Sequence, residues 1–168
     1  MQKLYIVLIS VVCVLIDQIT KLLISSNIEL NSSVSIINNV LNFTYIHNNG
    51  VAFGLFNNLT YFIIIITIVI FILLTKEIKK YFIVKPVLIS YSMIIGGLFG
   101  NLIDRLLFGY VRDFIDVNFL SFPIFNFSDI FIVIGTIILI ISCFKLEGSN
   151  GKNSSRKNWC KTWCLFKW

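Results

Sequence analysis

Pro86-Val87-Leu88-Ile89-Ser90-Tyr91-Ser92-Met93-Ile94-Ile95-Gly96-Gly97-Leu98-Phe99-Gly100-Asn101-Leu102-Ile103-Asp104-Arg105 is the stretch on which the fold turns. No charge interrupts Pro86 to Ile103, an apolar run close to the roughly 20 residues that carry a helix across a bilayer. A proline opens it, where a missing N–H has no helical partner to lose. Gly96 and Gly100 form a GxxxG pair, extended by Gly97, that lets a neighbouring helix approach closely. Asn101, Asp104 and Arg105 follow at i, i+3 and i+4, on one helix face. That spacing predicts that Arg105 neutralises Asp104, which makes Asp104 a structural carboxylate.

The rest of the chain extends this pattern. Of 168 residues 57% are apolar and only 13% charged, against about 25% charged in soluble proteins, and the mean hydropathy is +0.89. A water-soluble domain is thereby excluded. Four spans are predicted, over about 4–26, 57–75, 86–107 and 128–145, in one domain of residues 1–147; a basic, aromatic tail with no apolar run of spanning length fills 148–168. Between the first two spans, Ser33-Val34-Ser35-Ile36 and Leu41-Asn42-Phe43-Thr44-Tyr45-Ile46 alternate polar and apolar residues, as short strands do. Asn48-Asn49-Gly50 breaks the alternation and Val51–Phe56 returns to an apolar phase. The predicted class is an all-α membrane protein, four transmembrane helices with a small extracytoplasmic β-segment between helices 1 and 2. A cleaved signal peptide is the alternative for the first run, but Asp17-Gln18-Ile19-Thr20-Lys21 is no small-residue cleavage site and three more spans follow.

Charge sets the expected orientation. With the N-terminus in the cytoplasm, Lys3, the cluster Lys76 to Lys85, and the cations from Lys145 to Lys167 give 11 on the inner side; Lys21, Arg105 and Arg112 are the 3 opposite. This positive-inside bias predicts cytoplasmic N- and C-termini. At about 1.5 Å rise per residue, Asp17, Asn101, Asp104 and Asp129 lie some 20 to 27 Å from the inner ends of their spans, hence at one level near the outer face. Ionisable groups from several helices that converge inside a membrane mark a functional site, since each is costly alone. Polar glue between helices is the competing explanation for any single one of them.

The candidate chemistry narrows by elimination. Cys13 and Cys143 sit in apolar runs and Cys160 and Cys164 in the tail, with no CxxC pair and no Cys/His cluster of zinc spacing. His47 is the sole histidine, so carboxylates are the expected acid and base. In Val111-Arg112-Asp113-Phe114-Ile115-Asp116, read as an extended strand or a short turn, Asp113 and Asp116 point to opposite sides if extended, and only one can share a cavity with Asp129. Arg112 then points away from Asp113. Ser128 and Asp129 stand at the expected N-cap and first turn of the fourth span. Two aspartates facing each other in a partly dry site share a proton; one acts as base on a water while the other polarises a carbonyl. A small transporter or channel subunit is a competing class, as is a Mg-dependent lipid phosphoryl transferase ligated by Asp104, Asp113, Asp116 and Asp129. A transporter would carry its acids near the midplane on broken helices, not near one face.

Asp17-Gln18-Ile19-Thr20-Lys21, Asn48-Asn49-Gly50-Val51-Ala52-Phe53, Gly96–Arg105, Val111-Arg112-Asp113-Phe114 and Phe125-Asn126-Phe127-Ser128-Asp129 resemble, in order and spacing, the signature segments of bacterial lipoprotein signal peptidase, or signal peptidase II. The resemblance covers about Lys3 to Phe144. It implies an intramembrane aspartic endopeptidase of the bacterial plasma membrane, active near its outer face, that removes signal peptides from diacylglyceryl-modified prolipoproteins just before the lipidated cysteine. It implies Asp113 and Asp129 as the catalytic pair, and Asp17, Lys21, Asn48, Gly50, Asn101, Asp104, Arg105 and Asn126 as the supporting and substrate-binding shell. The outer strands would be a surface cradle for the lipid-bearing substrate. Lipidated prolipoproteins and membrane lipids are the expected partners of a monomer, with no nucleic acid, no metal and no cofactor. Arg112, Ser128 and Leu98 depart from the residues usual in the family at those places.

Overall fold

The structure, a computed structural model, describes residues 2–50, 59–78, 84–118 and 122–148. The apolar segment Val51–Phe56, Lys79, Lys80 and the tail after Gly148 lie outside these residues. In chain order the elements are α1 (Gln2–Asn27), β1 (Ser33–Ile37), β2 (Leu41–Asn48), α2 (Thr60–Ile78), α3 (Lys85–Phe108), β3 (Val111–Val117) and α4 (Phe127–Gly148).

Within α1, α3 and α4, the stretches Lys3–Asn27, Lys85–Phe108 and Phe127–Lys145 are long and apolar enough to cross a membrane. The apolar part of α2, Thr60–Lys76, has only 17 residues, roughly 25 Å of helix against a hydrocarbon core of about 30 Å. The side chains are sorted inversely to those of a soluble protein. Ser10, Cys13, Asp17 and Lys21, on one face of α1, are buried, whereas Leu4, Leu8, Leu15 and Leu22 are exposed. Lipid is the natural solvent of such a leucine face, and ionisable groups turn to the bundle interior.

α3 is the central helix. Its buried Val87, Tyr91, Ile94 and Ile95 pack with Leu139 of α4, and Ser92 offers its carbonyl to Ser10 Oγ of α1 at 2.9 Å. Gly100 is the point of closest approach. A Cβ there would run into Ser128 Oγ and stand 2.6 Å from Asp17 Oδ2, so a larger residue displaces these two side chains; a Cβ at Gly97 would run into the Ser128 backbone carbonyl, which only a shift of α4 relieves. The GxxxG pair thus admits both neighbouring helices to α3. Gly109 ends the helix with φ of 83°, its N–H bonded to the Arg105 carbonyl at 3.1 Å, a left-handed turn that glycine makes without steric cost. The chain leaves it directly into β3.

The three strands form one antiparallel sheet in the order β1-β2-β3. The predicted β-segment between helices 1 and 2 supplies β1 and β2, and the connection after α3 adds the third strand. Val111–Val117 lacks the period-2 pattern of a half-exposed strand, since its first five residues are all buried. The register sets Asn48 opposite Val111 and Ile46 opposite Asp113. On the far side of β3, Phe125 exchanges backbone hydrogen bonds with Ile115 and accepts one from Phe114, which ties the start of α4 to the strand that carries Asp113.

Candidate active site

Two carboxylates, Asp113 on β3 and Asp129 in the first turn of α4, line one cleft of about 600 Å³ with Asn48, Asn101 and Arg105. Apart from Thr67 its other walls are apolar, with Ile63, Ile66 and Ile70 from α2 facing Ile130, Val133 and Ile134 from α4. Asp113 accepts 2.8 Å and 2.6 Å hydrogen bonds from the side-chain amides of Asn48 and Asn126. Asp129 accepts one from Asn101 Nδ2 at 2.8 Å and one from the Asn126 backbone N–H at 3.1 Å. Asn126 therefore holds both aspartates.

That double hold comes from a helix cap. Asn126 precedes α4, its carbonyl takes the first intrahelical bond from Ile130, and its Oδ1 accepts the Asp129 N–H at 3.1 Å. With Asp129 Oδ2 returning to the Asn126 N–H, the two residues make a reciprocal capping box. The sequence prediction put the cap at Ser128; the structure moves it to Asn126. Ser128 is buried inside the first turn, and its backbone N–H donates to Asp17 Oδ1 at 2.9 Å.

Beneath the pair lies a cluster of buried charges. Lys21 forms the predicted i, i+4 salt bridge with Asp17 at 2.8 Å, a longer one with Asp104 at 3.4 Å, and donates to Asn101 Oδ1 at 3.1 Å. Asn101 Oδ1 also takes an Asn126 hydrogen bond, so both ends of its amide are fixed. Asp104 is not paired with Arg105. Its partner is Arg112, which gives it the backbone N–H at 3.0 Å, Nε at 3.2 Å and Nη2 at 2.8 Å. The predicted pairing fails because Arg105 extends to the Gly50 carbonyl at 2.9 Å, where it fastens the turn after β2. Gly50 in turn gives its N–H to Asn48 Oδ1 at 2.9 Å, leaving the Asn48 amide nitrogen turned to Asp113.

All ten residues named from the sequence are thus brought into one network. Asp116 is on the other face of β3 and accepts from Thr44 Oγ1 at 2.8 Å. His47 is also turned elsewhere, bonded to the Tyr45 hydroxyl at 3.0 Å and stacked on Tyr110. Two participants had no role assigned from sequence: Arg112, and Gln18, which bonds Asp17, Asp104, the Gly100 carbonyl and Arg112. Strand alternation beside Asp113 was the available signal for Arg112, since a buried cation pointing away from one carboxylate needs another.

Asp113 ionises with difficulty. Burial, reinforced by the neighbouring Asp129, pushes its pKa up to about 7 against the opposing pull of Asn48, Asn126 and Lys21. No cluster of three or more His, Cys, Asp or Glu with metal-binding geometry occurs among the described residues. Two buried acids at the edge of an apolar cleft between apolar helices, one of them with a raised pKa, are the arrangement that a membrane hydrolase of the acid–base type requires.

The comparisons with known proteins agree. The family model for signal peptidase (SPase) II matches residues 9–145. The lipoprotein signal peptidase of Streptococcus agalactiae serotype Ia is 39% identical over 92% of this chain and 100% of its own. That of Moorella thermoacetica is 37% identical over 86% and 96%, and that of Staphylococcus aureus 38% over 90% and 94%. A solved bacterial membrane enzyme superposes with a TM-score of 0.82 at 36% identity, covering 89% of this chain and 93% of that one. The chain belongs to the signal peptidase II family and is a multi-pass membrane protein.

Proposed function

We propose that this chain is an intramembrane aspartic endopeptidase that cleaves lipoprotein signal peptides, with Asp113 and Asp129 as its catalytic pair. The observation that carries the assignment is that these two carboxylates, and no other Asp or Glu among the described residues, line the cleft together. Its isoleucine and valine walls suit the apolar segment of a signal peptide. The cut falls before a diacylglyceryl-modified cysteine, whose acyl chains stay in the surrounding lipid. Transporter and phosphoryl-transfer readings have no comparable support, since membership of a peptidase family favours hydrolysis.

The reaction needs one proton shared by the pair. The ionised member takes a proton from a water whose oxygen bonds to the scissile carbonyl carbon, while the protonated member gives its proton to the carbonyl oxygen. Collapse of the resulting diol returns a proton to the leaving nitrogen as the C–N bond breaks, and the pair again holds one proton. The amides of Asn48, Asn101 and Asn126 keep both carboxylates aimed throughout.

The same reading places both termini in the cytoplasm and counts α2 as the fourth span. It is supported by the charge bias, and by the bonding of the three cations assigned outward. Lys21 and Arg112 lie in buried ion pairs and Arg105 is held by the Gly50 carbonyl, so none of them counts as a free cytoplasmic charge.

Asp113→Asn and Asp129→Asn are expected to lower cleavage of a lipidated precursor at least about 100-fold each, and the double variant no further, because the two act as a unit. Asp116→Asn retains most activity. Substantial cleavage by either single variant would sink the pair. Equal cleavage of lipidated and unmodified precursors would remove the lipid requirement.

A further inference from the structure

Four charged side chains are buried together below the catalytic pair: Asp17 and Lys21 of α1, Asp104 of α3, and Arg112 of β3. Their formal charges cancel only because Arg112 is present. Without it the cluster holds two carboxylates and one ammonium, and that ammonium has another task. Lys21 is 2.8 Å from Asp17 and 3.4 Å from Asp104, and it donates at 3.1 Å to the oxygen of Asn101, whose nitrogen donates to Asp129. The Asp104 carboxylate, meanwhile, is filled from the other side by three N–H groups of Arg112 and by Gln18.

We propose that Arg112 is a positioning residue of this peptidase: by satisfying Asp104 it leaves Lys21 free to orient Asn101, and Asn101 to orient Asp129. This rests on the assignment of Asp113 and Asp129 as the catalytic pair. Arg112 never touches the cleft. It is 4% exposed, its guanidinium lies over the Phe108 ring, and it points to the opposite side of β3 from the adjacent Asp113. The charged groups that face the pair are Asp17 and Lys21 from α1 and Asp104 and Arg105 from α3, with Arg112 behind them on β3. Loss of the arginine draws Lys21 toward Asp104, leaves the Asn101 oxygen with Asn126 as its single donor, and leaves a net negative charge beneath two acids that must share a proton.

The test uses the full chain reconstituted in lipid, one lipidated precursor, and kcat and KM measured across pH. Arg112→Gln keeps hydrogen-bonding capacity without charge. It is expected to lower kcat about tenfold with KM within about twofold, because misaligned groups cost rate before binding. Its alkaline limb should move to higher pH. Arg112→Lys, which restores the charge, should return the limb to its wild-type position with part of the rate. Asp104→Asn combined with Arg112→Gln restores neutrality and should also return the limb. Wild-type kcat and an unmoved limb in Arg112→Gln, whatever happens to thermal stability, overturns the proposal. Should Arg112→Gln not fold, a displaced limb in Arg112→Lys or in the double variant overturns it equally. Survival of cleavage in Asp129→Asn would instead overturn the catalytic pair, so the two failures are separable.

Discussion

Ser128 shows how closely the site is packed and where it is imperfect. Its Oγ is fully buried against Gly100 and has no hydrogen-bond partner among the described residues. An unsatisfied buried hydroxyl costs about 1–3 kcal/mol, so Ser128→Ala is expected to raise stability by roughly 1 kcal/mol. Cleavage should change less than twofold, because the backbone N–H that reaches Asp17 is kept. Thermal unfolding and rate measured on the same preparation check both, and a lower melting temperature would contradict the unpaired hydroxyl. Asp113 carries a second, pH-dependent signature. Its pKa rises from the ordinary 3.8 to about 7 on folding, so the folded state binds the proton more tightly than the unfolded one. Its contribution to stability is therefore complete below about pH 4 and lost as pH rises through about 7. Asp113→Asn, which never ionises, should match or exceed the wild type in melting temperature by a margin that widens between those pH values. A margin independent of pH would mean that Asp113 stays ionised. The same titration removes the shared proton and should reduce cleavage above about pH 7.

The elements differ in how readily the sequence discloses them. Helices α1, α3 and α4 are legible because lipid-facing leucines and isoleucines are unambiguous over twenty residues, and the proline and glycine at the two ends of α3 mark its limits. β1 and β2 are legible from their alternation. β3 is only half legible: Val111 to Asp116 reads as a strand or a short turn, and because its first five residues are buried, no exposed-buried alternation decides between the two. The cap of α4 lies two residues before the Ser128 that the sequence predicts, because Asn126 and Ser128 are equally good capping residues by type and only the return bond from Asp129 selects Asn126. The candidate site was legible as a set, because intramembrane polar groups are few, but its pairings were not. Arg105 is the nearer cation to Asp104 along the helix, and the turn at Gly109 is what brings Arg112 back instead. Gly100 is the element-scale residue with a clear energetic expectation. Gly100→Ala drives a methyl group into Ser128 and Asp17, and overpacking of this kind costs about 1–3 kcal/mol. Cleavage should fall with it, since Asp17 anchors Lys21. A variant with wild-type stability would show that the Ser128 and Asp17 side chains turn aside at no cost.

At the scale of the whole molecule, the sheet and the cleft lie at one end of the bundle, where α3 finishes and α4 begins. The expected orientation is tested by placing single thiols at Ser32→Cys, before β1, and at Asn153→Cys, in the tail, in a background without the native cysteines. A membrane-impermeant maleimide added to intact cells should label the first and spare the second; the reverse pattern would invert the map. The pairing of the buried charges bears on biogenesis as well. Asp17 and Lys21 are one helical turn apart on α1, and Asp104 and Arg112 are joined across the single turn that follows α3. Each ion pair is therefore complete within a short stretch of nascent chain. Neither buried pair depends on the other to cancel its charge as the chain enters the membrane, and in the folded bundle the two pairs meet where Lys21 lies 3.4 Å from Asp104.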